Sequence, residues 1–183
     1  MKTILQVEDD PNDVFFLRKA MKKMGVANPA QVTTDGQQAI DYLHGAGQFA
    51  DRRKFPLPSL VLLDVKLPYV MGLDVLRWIR AQTGTPLPVV MLSASAQEAD
   101  IVAAYRLGAN AFLIKPSKTS KLEEMAKAIK DFWLTHNTLS QGSHAEAVPA
   151  TRVQTRTRTF AANCLSPNTG AGRKEEDYIE ADK

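Results

Sequence analysis

Short apolar runs alternate with segments in which apolar residues recur every three or four positions, and this holds from residue 4 to about residue 136. Ile4-Leu5-Gln6-Val7 is a short strand-like run that stops at acids. Pro11 then opens a helix with Asp10 placed as N-cap, its apolar face being Val14, Leu17, Met21 and Met24 before Gly25 ends it. Residues 30–34 suit a second strand, and Asp35-Gly36 starts a helix reaching His44. Leu60-Val61-Leu62-Leu63 is apolar throughout, as in a parallel strand covered on both faces. Gly72 leads into a helix carrying Leu73, Leu76 and Ile79, which should end near Gly84. Val89 to Leu92 is a fourth strand, a helix follows from about Gln97 to Leu107, and Ala111 to Ile114 is a fifth strand. The last helix is expected from about Thr119 to His136, with Leu122, Met125, Ala126, Ile129 and Phe132 or Trp133 inward. Five strand–helix units predict an α/β, doubly wound five-stranded parallel sheet with right-handed crossovers.

The pattern stops near Asn137, and composition changes with it. Of 13 aromatic residues only Phe160 and Tyr178 lie beyond that point. The rest of the tail mixes Ala with Ser, Thr, Gln, Asn, Gly and Pro, too little apolar surface to offset the entropy of ordering it. The expected division is a domain over residues 1–137 and a disordered tail over 138–183. The chain of 183 residues carries a net charge of +3 and a pI of 9.0, which suggests nucleic acid. That suggestion weakens on division, because the tail holds 6 basic and 6 acidic residues and the surplus lies in the first domain. Cys164 is the single cysteine, which excludes a disulfide scaffold. No apolar run approaches a membrane span, and acids at Glu8-Asp9-Asp10 leave no signal-peptide core, so a cytoplasmic location is expected.

In a doubly wound sheet, ligands sit outside the carboxyl ends of the strands. The residues following those ends are Glu8, Asp9 and Asp10, then Asp64, then Ser93, then Lys115-Pro116. Taken singly each has an ordinary explanation: a helix cap, a turn former, a loop hydroxyl, a strand exit. Together they bring carboxylates, a hydroxyl and an ammonium to one edge. Clustered carboxylates repel and need a counter-charge, which a hard divalent cation with oxygen ligands supplies. A lysine opposite and a hydroxyl donor would meet phosphoryl oxygens. The chemistry this suits is phosphoryl transfer onto a carboxylate, with Asp64 as the nucleophile.

Residues 4–11, 62–68 with Gly72, 89–95 and 108–116 resemble the receiver domain of two-component response regulators. The resemblance implies a flavodoxin-like, CheY-like fold with strand order 2-1-3-4-5, acting as a phosphoacceptor signalling protein rather than a conventional enzyme. It implies that Asp64 takes phosphate from a sensor histidine kinase with Mg²⁺ present. Glu8, Asp9, Asp64 and the Lys66 backbone carbonyl would hold the cation, Glu8 through water. Lys115 would pair with the phosphoryl group across a cis Lys115–Pro116 bond, and Ser93 with Phe112 would form the switch. Phe112 departs from receivers with Tyr there and lacks their hydroxyl. Lys66 and Ser95 stand where the family tunes dephosphorylation. The 45–58 connection and Phe132-Trp133-Leu134 resemble single-domain regulators paired with cyanobacterial-type phytochrome kinases. A homodimer through the fourth helix, fifth strand and fifth helix is implied as well.

Other readings fit less well. A dehalogenase-type phosphatase needs a second acid two residues after its nucleophile, where this chain has Lys66. A flavodoxin would place an anionic phosphate against Glu8-Asp9-Asp10. No GxxxxGK[ST] or GxGxxG pattern supports nucleotide binding. The alternative output is an adaptor whose tail binds nucleic acid through Arg152, Arg156 and Arg158, but three arginines with Phe160 leave little electrostatic footprint. Arg52-Arg53-Lys54 reads as a solvated loop or as a contact for an acidic kinase surface. His44, His136 and His144 have no partner spacing for metal or triad chemistry.

Overall fold

The computed structural model describes residues 2–82 and 87–138. Five parallel strands, β1 (Ile4–Val7), β2 (Ala30–Thr33), β3 (Leu60–Asp64), β4 (Val89–Ser93) and β5 (Ala111–Ile114), lie in the order β2-β1-β3-β4-β5. The helices between and after them are α1 (Pro11–Lys23), α2 (Gly36–His44), α3 (Gly72–Ala81), α4 (Glu98–Arg106) and α5 (Thr119–Ile129). The expected fold class and strand order are both present. The ladder pairs Val7 with Leu63, Asp64 with Leu92, and Ser93 with Ile114, so the carboxyl ends finish close to level.

Strand alternation divides the core into two layers. Leu5, Val7, Val61, Leu63, Val89 and Met91 face α2, α3 and α4, meeting Tyr42, Val75, Leu76, Ile79 and Ala104. Ile4, Leu60, Leu62, Val90 and Leu92 face α1 and α5, meeting Leu17, Ala20, Met21, Ala126 and Ile129. Every residue of β3 and β4 is buried, which is why their sequences are apolar without alternation up to the terminal Asp64 and Ser93. Among the described residues no helix is long and apolar enough to cross a membrane.

The helix starts follow local chemistry. Asp10 accepts the Asn12 N–H at 2.8 Å and Asp35 accepts the Gln38 N–H at 2.7 Å, each satisfying a donor that the first turn leaves free. Three details differ from expectation. The last helix is not uniform: α5 ends at Ile129 and continues as a π-helical stretch over Lys130–His136. Its wider turn lets the successive residues Trp133 and Leu134 both pack on the α1–α5 layer while Phe132 faces out. α3 ends at Ala81, and Gly84 lies outside the described residues. The 45–58 connection contains an unexpected 3₁₀ turn at Gly47–Phe49, tied down by the aromatic trio Tyr42, Phe49 and Phe55 and by a Tyr42 hydroxyl donating to the Pro56 carbonyl at 2.7 Å.

Arg52 is not a free loop charge. Its guanidinium donates to the Tyr42 carbonyl at 2.7 Å and the Leu43 carbonyl at 2.8 Å, closing the carboxyl end of α2. Arg53 and Lys54 beside it are exposed.

Candidate phosphoacceptor and cation site

The edge of the sheet brings together Glu8, Asp9, Asp64, Ser93 and Lys115. Asp64 is the last residue of β3 and is buried. Its Oδ1 accepts the Lys66 N–H at 3.0 Å, which turns the chain sharply after the strand and leaves Oδ2 toward Lys115 Nζ. Glu8 follows β1 and is also buried, and its Oε2 lies 2.5 Å from Lys115 Nζ. Asp9 is exposed at the mouth. Ser93 ends β4 fully buried, with its hydroxyl accepting the Ser95 N–H at 3.1 Å and its carbonyl accepting the Lys115 N–H at 2.7 Å. Phe112 is half-buried against the α2–α3–α4 layer, paired in register with Met91. Lys66 is exposed, two residues beyond Asp64.

Two glycines let this edge close. A Cβ at Gly72 would stand 1.9 Å from the Asp64 carbonyl oxygen, and one at Gly36 would stand 2.0 Å from the Val70 carbonyl oxygen. The backbone of the Asp64 loop therefore touches the start of α3 directly. Between these contacts Tyr69 takes φ +62° with its side chain almost wholly exposed.

One residue of the cluster was not singled out from sequence. Asp13 in the first turn of α1 lies 2.9 Å from Lys115 Nζ through its Oδ2. Its position three residues after the N-cap Asp10 puts it on the turn that faces the sheet edge, and that spacing was the available signal. Lys115 thus gives one hydrogen bond to each of three carboxylates. Burial works against its charge, but the bonds from Asp13, Asp64 and Glu8 outweigh it and raise its pKa above the usual lysine value. Burial pushes Glu8 up to about 7, with Lys115 pulling the other way and the Asp64 charge adding to the rise.

The Lys115–Pro116 bond corrects the resemblance: no peptide bond among the described residues is cis, so this one is trans, the form an X–Pro bond prefers without tertiary constraint. Arg152, Arg156, Arg158, Phe160 and the expected disordered tail lie outside the described residues.

Carboxylate oxygens of Glu8, Asp9 and Asp64 all lie within 4.8 Å of one another. Three hard oxygen donors at that spacing, two of them on buried residues, fit a divalent cation with room for water and a phosphoryl oxygen. A cavity of about 210 Å³ opens beside Lys115 and is lined by Glu8, Asp13, Phe16, Leu92 and Leu122 among others. The larger groove, along α1 and residues 25–30, is lined by none of these carboxylates.

Known proteins are similar to this chain in sequence and fold. The sequence profile of the family described as "response regulator receiver domain" matches residues 4–127. The probable methanogenesis regulatory protein FilR2 of Methanothrix harundinacea is 35% identical over 138 residues, covering 73% of this chain and 84% of its own. Response regulator Rcp1 of Synechocystis is 33% identical over 139 residues, covering 75% and 92%. The crystal structure of the Mn²⁺-bound form of Rcp1 superposes with a TM-score of 0.69 over 76% of this chain and 99% of that one. The phosphorylated cyanobacterial phytochrome response regulator RcpA is 34% identical, with a TM-score of 0.70 over 75% and 97%.

Proposed function

The chain belongs to the response regulator receiver domain family, and on that premise we propose that Asp64 accepts a phosphoryl group from the phosphohistidine of a sensor histidine kinase. Asp64 carries this reading: a buried strand-end carboxylate, paired with Lys115 and grouped with two further acids. Its Oδ forms the new P–O bond as the P–N bond breaks, and the histidine nitrogen leaves with the electron pair. Glu8, Asp9, Asp64 and the Lys66 carbonyl are the ligands proposed for Mg²⁺, Glu8 through a water. When bound, the cation neutralises charge that builds on the phosphoryl oxygens.

The chain's own groups do the rest. Lys115 places an ammonium where a phosphoryl oxygen on Asp64 would stand, and its raised pKa keeps that charge on at any physiological pH. Ser93 has a hydroxyl proton to give, since the bond it makes to Ser95 uses only an acceptor lone pair. Turning that proton toward a phosphoryl oxygen would draw the β4 end inward, and Phe112 on the neighbouring strand, half-buried against the core, would follow. Signalling would then pass by protein contact. Identity of about a third with Rcp1 and RcpA supports a phytochrome-like kinase as the partner class.

The test is incorporation of acid-labile phosphate from a small phosphodonor in the presence of Mg²⁺. The wild-type chain should be labelled and Asp64→Asn should not. Equal labelling of both would overturn the assignment.

A further inference from the structure

Lys115 has three ammonium protons and spends one on each of Glu8, Asp13 and Asp64. Two of those acceptors belong to the group of carboxylates that fits a cation; Asp13 does not. The difference matters because an oxygen given to a dication is no longer a good acceptor for an ammonium, and the two positive charges repel. A Lys115 held only by Glu8 and Asp64 would therefore compete with the cation for those oxygens.

We propose that Asp13 is a positioning residue that tethers Lys115, leaving Glu8 and Asp64 free to turn to the cation while the ammonium stays at the site. Asp13 is suited to it. It sits on the first turn of α1, whose start is capped by Asp10, and so belongs to a different element from the strand-end Glu8 and Asp64. Its side chain is 42% exposed against 14% for Lys115, so its carboxylate keeps contact with water while holding a lysine that has little water of its own. The cavity beside Lys115, bounded by Glu8 and Asp13, leaves the ammonium room to shift from one carboxylate to the other. The inference rests on the proposed cation and phosphoacceptor reading of the same site.

The experiment is a double-mutant cycle read as Mg²⁺ affinity by calorimetric titration of the full chain, with no phosphodonor present. The proteins are wild type, Asp13→Asn, Lys115→Ala and the double variant, with Lys115→Met in place of Lys115→Ala if the latter fails to fold. Asp13→Asn keeps the side-chain shape but removes one of the three charges that hold Lys115, the one outside the cation group. With Lys115 present it should weaken Mg²⁺ binding by about fivefold, the scale of one partly exposed ion pair. Without Lys115 the same change should cost less than about half as large a factor, because only a through-space charge effect is left. Comparable losses in both backgrounds, or no loss in the first, would overturn the proposal. Failure of the underlying reading looks different: the wild-type chain then binds no Mg²⁺ and takes no phosphate from a small donor, whatever stands at residue 13.

Discussion

Gly72 lies against the carbonyl of Asp64 so closely that no side chain fits between them: an added Cβ would come to 1.9 Å of that oxygen and 2.9 Å of its carbon. The Gly72 N–H also donates to the Val65 carbonyl at 3.1 Å, so α3 begins locked to the loop that carries the proposed phosphoacceptor. Both clashing partners are backbone, which cannot rotate away as a side-chain tip can. Gly72→Ala should therefore cost about 2 kcal/mol in urea unfolding and slow phosphoryl uptake by Asp64. Unchanged stability together with unchanged uptake would show that the loop shifts freely.

The raised pKa of Glu8 gives the cation-free protein a pH dependence of definite sign. In the fold Glu8 holds its proton up to about 7, against an ordinary value of 4.5 once unfolded. Between those limits the folded state binds the extra proton, so this group's contribution to stability falls as pH rises. Unfolding titrations in chelator across that window should show the decline, and Glu8→Gln should flatten it. Cation binding has the opposite demand, since a ligand carboxyl must lose its proton, so Mg²⁺ affinity should fall below about pH 7.

Arg52 and Arg53 are neighbours with different work. Arg52 closes the end of α2 through two backbone carbonyls, with a third contact to Phe55 at 3.3 Å, whereas Arg53 is exposed. Arg52→Ala should cost about 1.5 kcal/mol and loosen the Tyr42–Phe49–Phe55 trio. Arg53→Ala should stay within about 0.5 kcal/mol of wild type. Chemical denaturation of the two variants side by side separates them. Equal effects would mean that the capping bonds carry no stability.

Tyr105 on α4 and Ile114 on β5 are each about half exposed, 52% and 49%, on the face proposed for a homodimer. β5 is also an edge of the sheet. Ile114→Glu places a charge there without entering the core, so the folded monomer should be unaffected while self-association is lost. Sedimentation over a range of concentrations checks this, with and without phosphodonor. A wild-type chain that stays monomeric throughout counts against the dimer.

The sequence was sufficient for the βα alternation, because β3 and β4 are buried on both faces and so are apolar up to their terminal Asp64 and Ser93, while α1 and α2 announce themselves with Asp10, Pro11 and Asp35. It was also sufficient for the residues of the edge, since strand ends in a parallel sheet must converge. It did not reveal Asp13, whose partner Lys115 is 102 positions away, nor the use of Arg52 as a helix cap. It also gave no sign of the widened turn that packs Trp133 and Leu134 partly buried on the core while Phe132 stays exposed. Periodicity and caps are local properties, written in the order of neighbouring residues. Which charge meets which is decided only when elements distant in sequence pack, because the energy of an ion pair depends on separation and burial that no single segment specifies.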